Sequence, residues 1–445
     1  MYRYSAEFYY FRKMKFQKLS ILAALLLLSA AITGCRKPEA GSGSLEGRVT
    51  YSTGEGIVDV AVIYGDSAVY TATGGTYVYD GIPDGLQGIY FRKDGYYSTM
   101  QQVYIPDGGT AVCNAELELI TAGWAVGAED SGYGTILHTT DAGTSWVRQG
   151  NTSSVPRVHL TDVCVFSDMV CWIAGDADTA NSATVILHTA DGGLSWTNQG
   201  ASISELPPIS IASVISKDGD TVWAAAADTC VILRSTDSGS SWASSNESSG
   251  MAYYTGIATM DGYEVWCCGV TTDGHAAIEH TSDGGRNWEL ISVSGVYSGF
   301  IPSDICVTPG PILYLAGDNT TGLIRSDNGG ASWVQIAGAG TDMRCIDAHD
   351  DTHVWTGGDG GHLWFTSDAF FTVRDIRPGE EIFPGGSITS VAMLRDGRRG
   401  ALSVKSATGA TGSILYTTDG GSVWTGSSMP FNFSIDAVDF AGGNN

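Results

Sequence analysis

The sequence predicts an all-β protein in which a small β-sandwich precedes a seven-bladed β-propeller closed by a C-terminal strand. Glycine accounts for 59 of the 445 residues without a collagen period, and tyrosine (20) and tryptophan (12) are abundant. This composition is typical of β-proteins rich in tight turns. A short motif of aspartate, glycine and tryptophan also recurs at intervals of about 40 to 51 residues. One four-stranded propeller blade has that length.

Residues 1–34 have the order of a secretory signal peptide. Basic residues precede an apolar run at 21–32, which is shorter than the roughly 20 residues that span a bilayer. The sequence ITGC at 32–35 resembles the lipoprotein box of bacteria. The resemblance implies a lipidated Cys35, whose acyl chains would hold the protein on a membrane surface. The alternative is an ordinary signal peptide that is cut near a cysteine.

The charge and the cysteines exclude some classes of function. There are 48 Asp+Glu against 23 Lys+Arg, a net charge of −25, and such a surface repels phosphate backbones, so we expect no nucleic-acid partner. The cysteines show neither C-x-x-C nor C-x-x-H spacing. We therefore expect no zinc site, and no other metal or cofactor. Cys164 and Cys171 flank a predicted hairpin, and the sequence leaves open whether they form a disulfide.

Two modules follow the signal peptide. Residues 35–44 are predicted to be a polar tether, and residues 45–119 a separate β-domain. The order GRVT, an alternating strand, TYVYDGIPDG and FRKDGYY in this domain resembles the carboxypeptidase regulatory-like domain, a small prealbumin-like sandwich. The domain has no cluster of catalytic residue types, so we interpret it as a spacer or docking domain between a membrane anchor and residues 120–445.

Residues 120–445 contain seven copies of a repeat turn, defined by the pattern T/S-x-D-x-G-x-S-W. The fifth copy has Asn in the Asp position, and the sixth lacks the Gly and the Trp. A strand with the pattern W-x-x-G, or a near relative of it, precedes each of the first six copies. The residues in the Asp position are Asp141, Asp191, Asp237, Asp283, Asn328, Asp368 and Asp419.

The two ends of this repeat region are complementary. Each later copy is preceded by a strand that opens its blade, but the first copy has none. The matching strand at 434–440 has no repeat turn after it. We therefore predict that the C-terminal strand completes the first blade and closes the ring, which gives seven blades.

The repeat turns resemble Asp-boxes, also called BNR repeats, of sialidases, sortilin-type receptors and photosystem II assembly-factor-like propellers. The string GWAVG…GTILHTTDAGTSW at 123–146 is most similar to the last group. The resemblance implies a hairpin turn between the two outer strands of a blade. There the Asp accepts backbone hydrogen bonds, the Gly takes a positive φ, and the Trp fills the gap between blades. A feature repeated around a ring indicates architecture, so we predict structural roles for all seven Asp-position residues.

The histidines follow the same repeat. His138, His188 and His280 share one position, which Arg234 or Phe365 occupies in other copies. A position that accepts arginine and phenylalanine is not a metal ligand, so we predict that these histidines are structural.

The sequence favours a binding protein over an enzyme. Sialidases with this repeat use an arginine triad, the first member of which lies in an F/Y-R-I-P motif, and the chain has no such motif. We therefore predict no catalytic residues and an envelope-anchored binding or assembly module that recognises a glycan or protein partner. The alternative is a glycoside hydrolase of the sialidase-like propeller type. The expected ligand face, formed by loops that lead into the innermost strands, contains Asp162, Tyr254, Asp304, Arg344 and Asp436.

The predicted location is the bacterial cell envelope. The lipoprotein box and the sandwich domain together resemble envelope proteins of bacteria such as Bacteroidetes. The sequence leaves open whether the protein faces the periplasm or the medium.

Overall fold

The computed structural model describes residues 41–441 except 204, 246–249, 294–298, 311, 319–321, 337–341, 371, 379–383 and 428–430. The predicted signal peptide and Cys35 lie outside the described residues. Apart from two 3-10 turns, Thr73–Gly75 and Gln199–Ser202, the regular structure of the described residues is all β. No helix in this part of the chain has the length and apolarity that crossing a membrane requires. Residues 41–93 and 98–117 form one compact unit, and residues 94–97 and 118–441 form another.

Unit 1 contains two four-stranded sheets. The first has the order β4-β1-β7, with β8 also pairing β1, and the second has the order β3-β2-β5-β6. Strand β1 begins inside the predicted tether. Buried Tyr77 of the first sheet and buried Phe91 of the second have ring centroids 5.9 Å apart, so their inner faces form one core. The strands are β1 (Ser42–Thr50), β2 (Ala61–Tyr64), β3 (Ser67–Tyr70), β4 (Thr76–Pro83), β5 (Gly85–Arg92), β6 (Thr99–Ile105), β7 (Thr110–Val112) and β8 (Ala115–Glu116).

Unit 2 is a β-propeller whose described residues form seven four-stranded antiparallel sheets. Sheet 1 contains β9 (Gly123–Asp130), β10 (Tyr133–Thr139), β11 (Val147–Arg148) and the C-terminal β36 (Ile435–Phe440). Sheet 2 contains β12 (Leu160–Val165), β13 (Cys171–Asp178), β14 (Ala183–Thr189) and β15 (Thr197–Asn198). Sheet 3 contains β16 (Ile211–Ile215), β17 (Val222–Ala226), β18 (Ile232–Ser235) and β19 (Ala243–Ser244). Sheet 4 contains β20 (Met251–Thr259), β21 (Val265–Thr271), β22 (Ala276–Thr281) and β23 (Glu289–Ser292).

Sheet 5 contains β24 (Pro302–Thr308), β25 (Ile312–Gly317), β26 (Leu323–Ser326) and β27 (Val334–Gln335). Sheet 6 contains β28 (Met343–Ala348), β29 (Val354–Gly358), β30 (Leu363–Thr366) and β31 (Arg374–Ile376). Sheet 7 contains β32 (Ser387–Met393), β33 (Gly400–Lys405), β34 (Gly412–Thr417) and β35 (Thr425–Gly426). The innermost strands β36, β12, β16, β20, β24, β28 and β32 each neighbour the next, and β32 neighbours β36. The core lies between successive sheets, as where Trp172 of sheet 2 packs with Val222 and Leu233 of sheet 3.

The two ends of unit 2 meet in sheet 1. Strand β36 pairs antiparallel with β9, with Val438 opposite Ala125. This is the pairing that the incomplete ends of the repeat region predict. The Asp439 carboxylate also accepts a hydrogen bond from the Val165 N–H of sheet 2 at 2.7 Å. The last strand of the chain is therefore bonded to two neighbouring sheets.

A planar side chain covers the tryptophan of the second strand in most sheets. The ring centroids of Trp124 and His138 are 4.4 Å apart, and those of Trp172 and His188 are 5.0 Å apart. In sheet 6 Phe365 takes the same place, directly opposite Trp355. Each pair faces across neighbouring strands, and arginine fills the position in sheets 3 and 5. Stacking against an aromatic ring explains why this repeat position accepts His, Arg and Phe.

Glutamine side chains join the first sheets to one another. Gln199 accepts a hydrogen bond from Trp172 Nε1 at 3.1 Å and donates to the Ser238 carbonyl of sheet 3 at 2.9 Å. Gln149 makes the equivalent pair of bonds with Trp124 and the Gly192 carbonyl of sheet 2. Each glutamine thus links the tryptophan of one sheet to the repeat turn of the next.

Candidate functional site

The candidate site lies on the entry face, the face of unit 2 at which the innermost strands begin and the second strands end. Strands β12, β24, β28 and β36 bring four of the five expected ligand residues to this end of the central channel. They form two groups. Asp162 and Asp304 line the channel itself, whereas Arg344 and Asp436 lie around its rim in ion pairs.

The two channel carboxylates are bonded to backbone amides. Asp162 accepts hydrogen bonds from the N–H of Val163 at 2.8 Å and of Val214 at 2.9 Å. Asp304 makes the same pair of bonds, at 2.8 and 2.9 Å, in sheets 5 and 6. Burial raises the pKa of Asp162, and it raises the pKa of Asp304 to about 7 against the effect of these bonds. Both side chains therefore tie one innermost strand to the next.

The channel is narrow. Its cavity next to Asp162 and Asp304 has a volume of about 70 Å³, whereas sites for drug-sized ligands have roughly 300–1,000 Å³. It has room for only roughly five water molecules. A partner larger than that does not fit inside this cavity.

Arg344 is held by carboxylates from two sheets. Its Nε and Nη2 donate to the two oxygens of Asp359 at 3.1 and 2.9 Å, and its Nη1 lies 3.5 Å from Asp318. The bond to Asp359 raises the pKa of Arg344, and the same bond lowers the pKa of Asp359. The Arg344 side chain is 42% exposed, so it is fixed in direction yet accessible.

Asp436 lies in a second group of charges. Its carboxylate is 3.0 Å from His159 Nε2 and 3.7 Å from Lys405 Nζ, and it accepts a hydrogen bond from Ser434 at 2.8 Å. Burial opposes ionisation of Asp436, but the His159 bond and the neighbouring positive charges outweigh it and lower the pKa. The bond to Asp436 in turn raises the pKa of His159.

Together these groups form a polar arc across five consecutive sheets. Ser387 connects the two groups because its hydroxyl donates to Asp359 at 2.7 Å and the residue begins β32 of sheet 7. Three basic side chains alternate with carboxylates along this arc, which suits a partner that offers both charges. From sheet 5 to sheet 2 the polar arc consists of Asp318, Arg344, Asp359, Ser387, Lys405, Asp436, His159 and Asp176.

An aromatic group lies at the outer part of the same face, in sheet 1. The Arg148 guanidinium carbon is 4.3 Å from the ring centroid of Tyr133 and 5.8 Å from that of Phe433. Phe433 also stacks on Phe431, with centroids 5.1 Å apart. These side chains are only partly buried, so the face offers apolar as well as charged contacts.

Tyr254 is not a ligand-face residue, contrary to the sequence-based expectation. It lies within β20, not in the loop before it, and is 1% exposed. Its hydroxyl is hydrogen-bonded to the buried carboxylate of Glu279. Burial raises the pKa of Tyr254. The expectation was wrong because β20 begins at Met251 and its register shifts between Met251 and Tyr253, so that Tyr254 points into the interior.

The repeat turns lie away from the polar arc, because each joins the third and fourth strands at the opposite end of its sheet. In the first copy, Asp141 Oδ1 accepts hydrogen bonds from Thr139 Oγ1 at 2.7 Å and from the Ser145 N–H at 2.9 Å. The Gly143 N–H donates to Thr139 Oγ1 at 3.1 Å. In the other six copies, the backbone N–H of the residue four positions later donates the equivalent hydrogen bond to the side chain in the Asp position, namely Asp191, Asp237, Asp283, Asn328, Asp368 and Asp419.

Departures from the repeat pattern keep this geometry. In the sixth copy Phe370 stands in the glycine position with a φ of 68°, a left-handed conformation that is strained for a bulky side chain. Its N–H still donates to Thr366 Oγ1 at 2.9 Å. The tryptophans are less uniformly buried than the pattern predicts: Trp196 and Trp333 are buried, whereas Trp146 is only half-buried. The hydrogen bonds therefore define the turn better than the tryptophan does.

Metal and thiol chemistry find no support among the described residues. No group of three or more His, Cys, Asp or Glu side chains in the described ranges is arranged to hold a metal ion. Cys164 and Cys171 are buried free thiols, and burial raises the pKa of both. In this structure no disulfide joins the two residues.

Of the eight residues of the polar arc, sequence reasoning named only Arg344 and Asp436. Asp359 and Lys405 stand at the ends of second strands, and His159 directly precedes an innermost strand. When the strands of successive repeats are aligned, these residues stand out as charged side chains at the end of a second strand or directly before an innermost strand. The sequence of a single loop does not indicate these residues, because each ion pair joins residues from different sheets or strands.

No protein-family model and no curated protein sequence matches the chain. Among solved structures it is similar to "YCF48 bound to D1 peptide", with 18% identity over 67% of this chain and 90% of that chain and a TM-score of 0.51. It is also similar to the RRP9 WD40 repeats, with 14% identity over 66% and 86% of the two chains and a TM-score of 0.50. The GH74 xyloglucanase from Xanthomonas campestris has 16% identity over 60% and 45% and a TM-score of 0.47, too low to support an argument. At these identities the likeness shows the β-propeller fold alone.

Proposed function

We propose that the chain is a lipid-anchored binding protein of the bacterial cell envelope that recognises a segment of another protein on its entry face. The observation that carries the proposal is the polar arc, in which fixed but accessible charges from five sheets share one surface. Arg344 illustrates its character, because two bonds to Asp359 orient its guanidinium while the side chain remains 42% exposed. Oriented charges of both signs give specificity for a partner with complementary charges.

A protein segment suits this face better than a glycan does. Neutral sugars are bound mainly by stacking on open aromatic rings, whereas the rings at 431 and 433 stack on each other and Arg148 lies over Tyr133. The arc supplies ionic partners that a peptide can match and a neutral sugar cannot. YCF48, which shares the fold, was solved with a D1 peptide.

Hydrolysis of glycosides is the alternative function. It would need two carboxylates flanking the bond to be cleaved. Asp162 and Asp304 are the carboxylates at the channel mouth, and each accepts two backbone N–H groups beside a cavity of about 70 Å³. That arrangement supports a role in joining strands, so we propose that the protein is not an enzyme.

The proposal also assigns a type and a role to the individual parts of the chain. We assign the repeat turns to the Asp-box type, with structural roles, and the seven sheets to a complete seven-bladed ring. Unit 1 is a carboxypeptidase regulatory-like spacer, and acylation of Cys35 holds the chain on a membrane. The hydrogen bonds of the turns support the Asp-box assignment, the pairing of β36 with β9 supports the ring, and the two sheets of unit 1 support the sandwich.

Peptide and glycan arrays probed with the full chain test this function. Peptides selected on the array should bind the Arg344→Ala/Lys405→Ala chain at least tenfold more weakly in fluorescence anisotropy. Arg399→Ala is the matched control, because Arg399 is also ion-paired, to Asp396 at 2.8 Å, but lies in the turn after β32 at the opposite face. Equal losses in both variants, or binding to glycans alone, would contradict the proposal. Turnover of aryl-sialosides that disappears in Asp304→Asn would favour the hydrolase.

A further inference from the structure

The outward face of the second sheet of unit 1 is apolar and aromatic. We call it the tyrosine face and define it by the outward side chains of β2, β3, β5 and β6. Its most exposed members are Tyr104 (67%), Leu86 (65%), Tyr70 (52%), Tyr90 (50%) and Met100 (45%). Exposed apolar patches of this kind mark interaction surfaces.

The strand register places these side chains on one face, with Gly88 and Gln102 between the two pairs that follow. Leu86 lies directly opposite Tyr104, and Tyr90 lies directly opposite Met100. The alternate residue Ile89 is fully buried on the other side of the sheet, so the exposed set shares one face. Among the outward positions of these four strands, Arg92 is the charged residue and none is a carboxylate.

The chain enters unit 1 beside this face. The Asp84 N–H donates to the Gly41 carbonyl at 3.0 Å, and Asp84 is two residues from Leu86. Cys35 lies six residues before Gly41, and six residues of extended chain reach at most about 20 Å. An acyl chain on Cys35 would therefore hold Gly41, next to the Leu86–Tyr104 end of the tyrosine face, within about 20 Å of the bilayer surface.

We propose that the tyrosine face lies against the interfacial layer of a phospholipid bilayer and orients the protein on it. Tyrosine favours that layer because its ring is apolar and its hydroxyl is polar. Arginine there can extend its charge to the phosphate level. The proposal rests on the lipid anchor of the proposed function, to which it adds a second contact.

The contact is apolar, not electrostatic. Asp84 and Asp107 flank the entry of the chain, and the protein as a whole is acidic. Anionic lipid should therefore weaken the contact. We expect stronger association with phosphatidylcholine vesicles than with vesicles that contain phosphatidylglycerol.

Nitroxide labels on the full chain test the contact. A label at Tyr104→Cys should be reached by oxygen and shielded from an aqueous nickel chelate when phosphatidylcholine vesicles are present. Val78→Cys is the matched control, since Val78 is 60% exposed on the other sheet of unit 1. Its label should stay accessible to nickel, and the chain without an added cysteine, labelled in parallel, gives the background.

The outcomes separate the two proposals. Equal nickel access at both labels overturns the membrane contact, whether or not Cys35 is acylated. If the label at position 104 is shielded from nickel even without vesicles, the membrane contact is also overturned, and a second copy of the chain would cover the tyrosine face instead. Absence of acyl labelling in the native protein overturns the anchor, and shielding by vesicles in that same protein would still support the tyrosine face.

A charge variant gives a second measurement. In the Cys35→Ser background, Leu86→Asp with Tyr104→Asp should reduce flotation with phosphatidylcholine vesicles at least tenfold, because both side chains would leave the interface. The unfolding midpoint should change little, since both are exposed. Unchanged flotation in a folded variant would contradict the proposal.

Discussion

His159 and Asp436 are 277 residues apart in the chain, yet His159 Nε2 lies 3.0 Å from the Asp436 carboxylate. The bond joins sheet 2 to the C-terminal strand of sheet 1. Asp439, on the same strand, accepts the Val165 N–H at 2.7 Å. The junction at which the ring closes therefore has polar links at two levels of its innermost strands.

The His159 link should make stability depend on pH. Its pKa is raised from 6.5 by the Asp436 bond, so the contribution is complete below pH 6.5 and is lost as pH rises through the folded-state pKa. His159→Gln should therefore destabilise the protein at pH 5.5 and matter little at pH 9, by less than about 1 kcal/mol because the pair is partly exposed. Urea unfolding at both pH values measures this, and an equal effect at both would refute it.

The stacked histidines should give the opposite pH dependence of stability. Burial lowers the pKa of His188 from 6.5. The free energy of unfolding is therefore unaffected by His188 above pH 6.5 and decreases as pH falls below that value. His188→Phe, which copies the residue of sheet 6, should flatten this acid loss by roughly 1 kcal/mol between pH 7 and 5. Parallel denaturation curves at several pH values test it. If the variant loses as much stability between pH 7 and 5 as the native chain does, protonation of His188 is not the cause of that loss.

Replacement of a repeat-turn aspartate should depend on the shape of the new side chain. Asn328 already accepts the Ser332 N–H at 2.9 Å in the fifth copy. Asp191→Asn should therefore be nearly neutral, whereas Asp191→Ala should cost about 1–2 kcal/mol because turn donors lose their acceptor. Thermal unfolding compares them, with array-selected peptide binding as a second readout. Lost binding with unchanged stability would mean that the turn is a binding site instead of scaffold.

The glutamine bridge between sheets 2 and 3 should be specific for an amide. Gln199→Ala removes the acceptor of Trp172 Nε1 and the donor to Ser238, and we expect a loss of about 1–3 kcal/mol. Gln199→Glu keeps the acceptor but places a carboxylate against a carbonyl, so it should be no better than alanine. Chemical denaturation measures both. A stable glutamate variant would show that the link between sheets is unimportant.

Deletion of 434–445 should be more damaging than any of these substitutions. It removes β36, the innermost strand of sheet 1, and leaves β9 as an unpaired edge in the ring. Size-exclusion chromatography and amide exchange should report aggregation or loss of protection in sheet 1. A truncated chain that is monomeric and as protected as the native one would contradict this role of β36.

The fold could be predicted because its signals repeat. The Asp position recurs seven times in register, and the strand at 434–440 has no other partner in the pattern, so the pairing of β36 with β9 follows from counting. Hydrogen bonds such as Ser145 N–H to Asp141 then depend on local spacing alone.

The candidate site could be predicted only in part. Arg344 and Asp436 were found because they lie near the starts of innermost strands, but their partners Asp359 and His159 come from other strands or sheets. Tyr254 was misplaced because β20 begins earlier than its sequence indicates and has register shifts between Met251 and Tyr253 and between Tyr254 and Gly256. A shift of one residue moves a side chain from one face to the other.

The pairing of β36 with β9 also has a consequence for biosynthesis. The strand that completes sheet 1 is made after all the other described strands of unit 2, so sheets 2 to 7 can form before β36 is available to β9. Until then six sheets stand in an open row, and β9 exposes an edge that invites pairing with another nascent chain. A chain that ends before residue 435 therefore keeps the β9 edge unpaired.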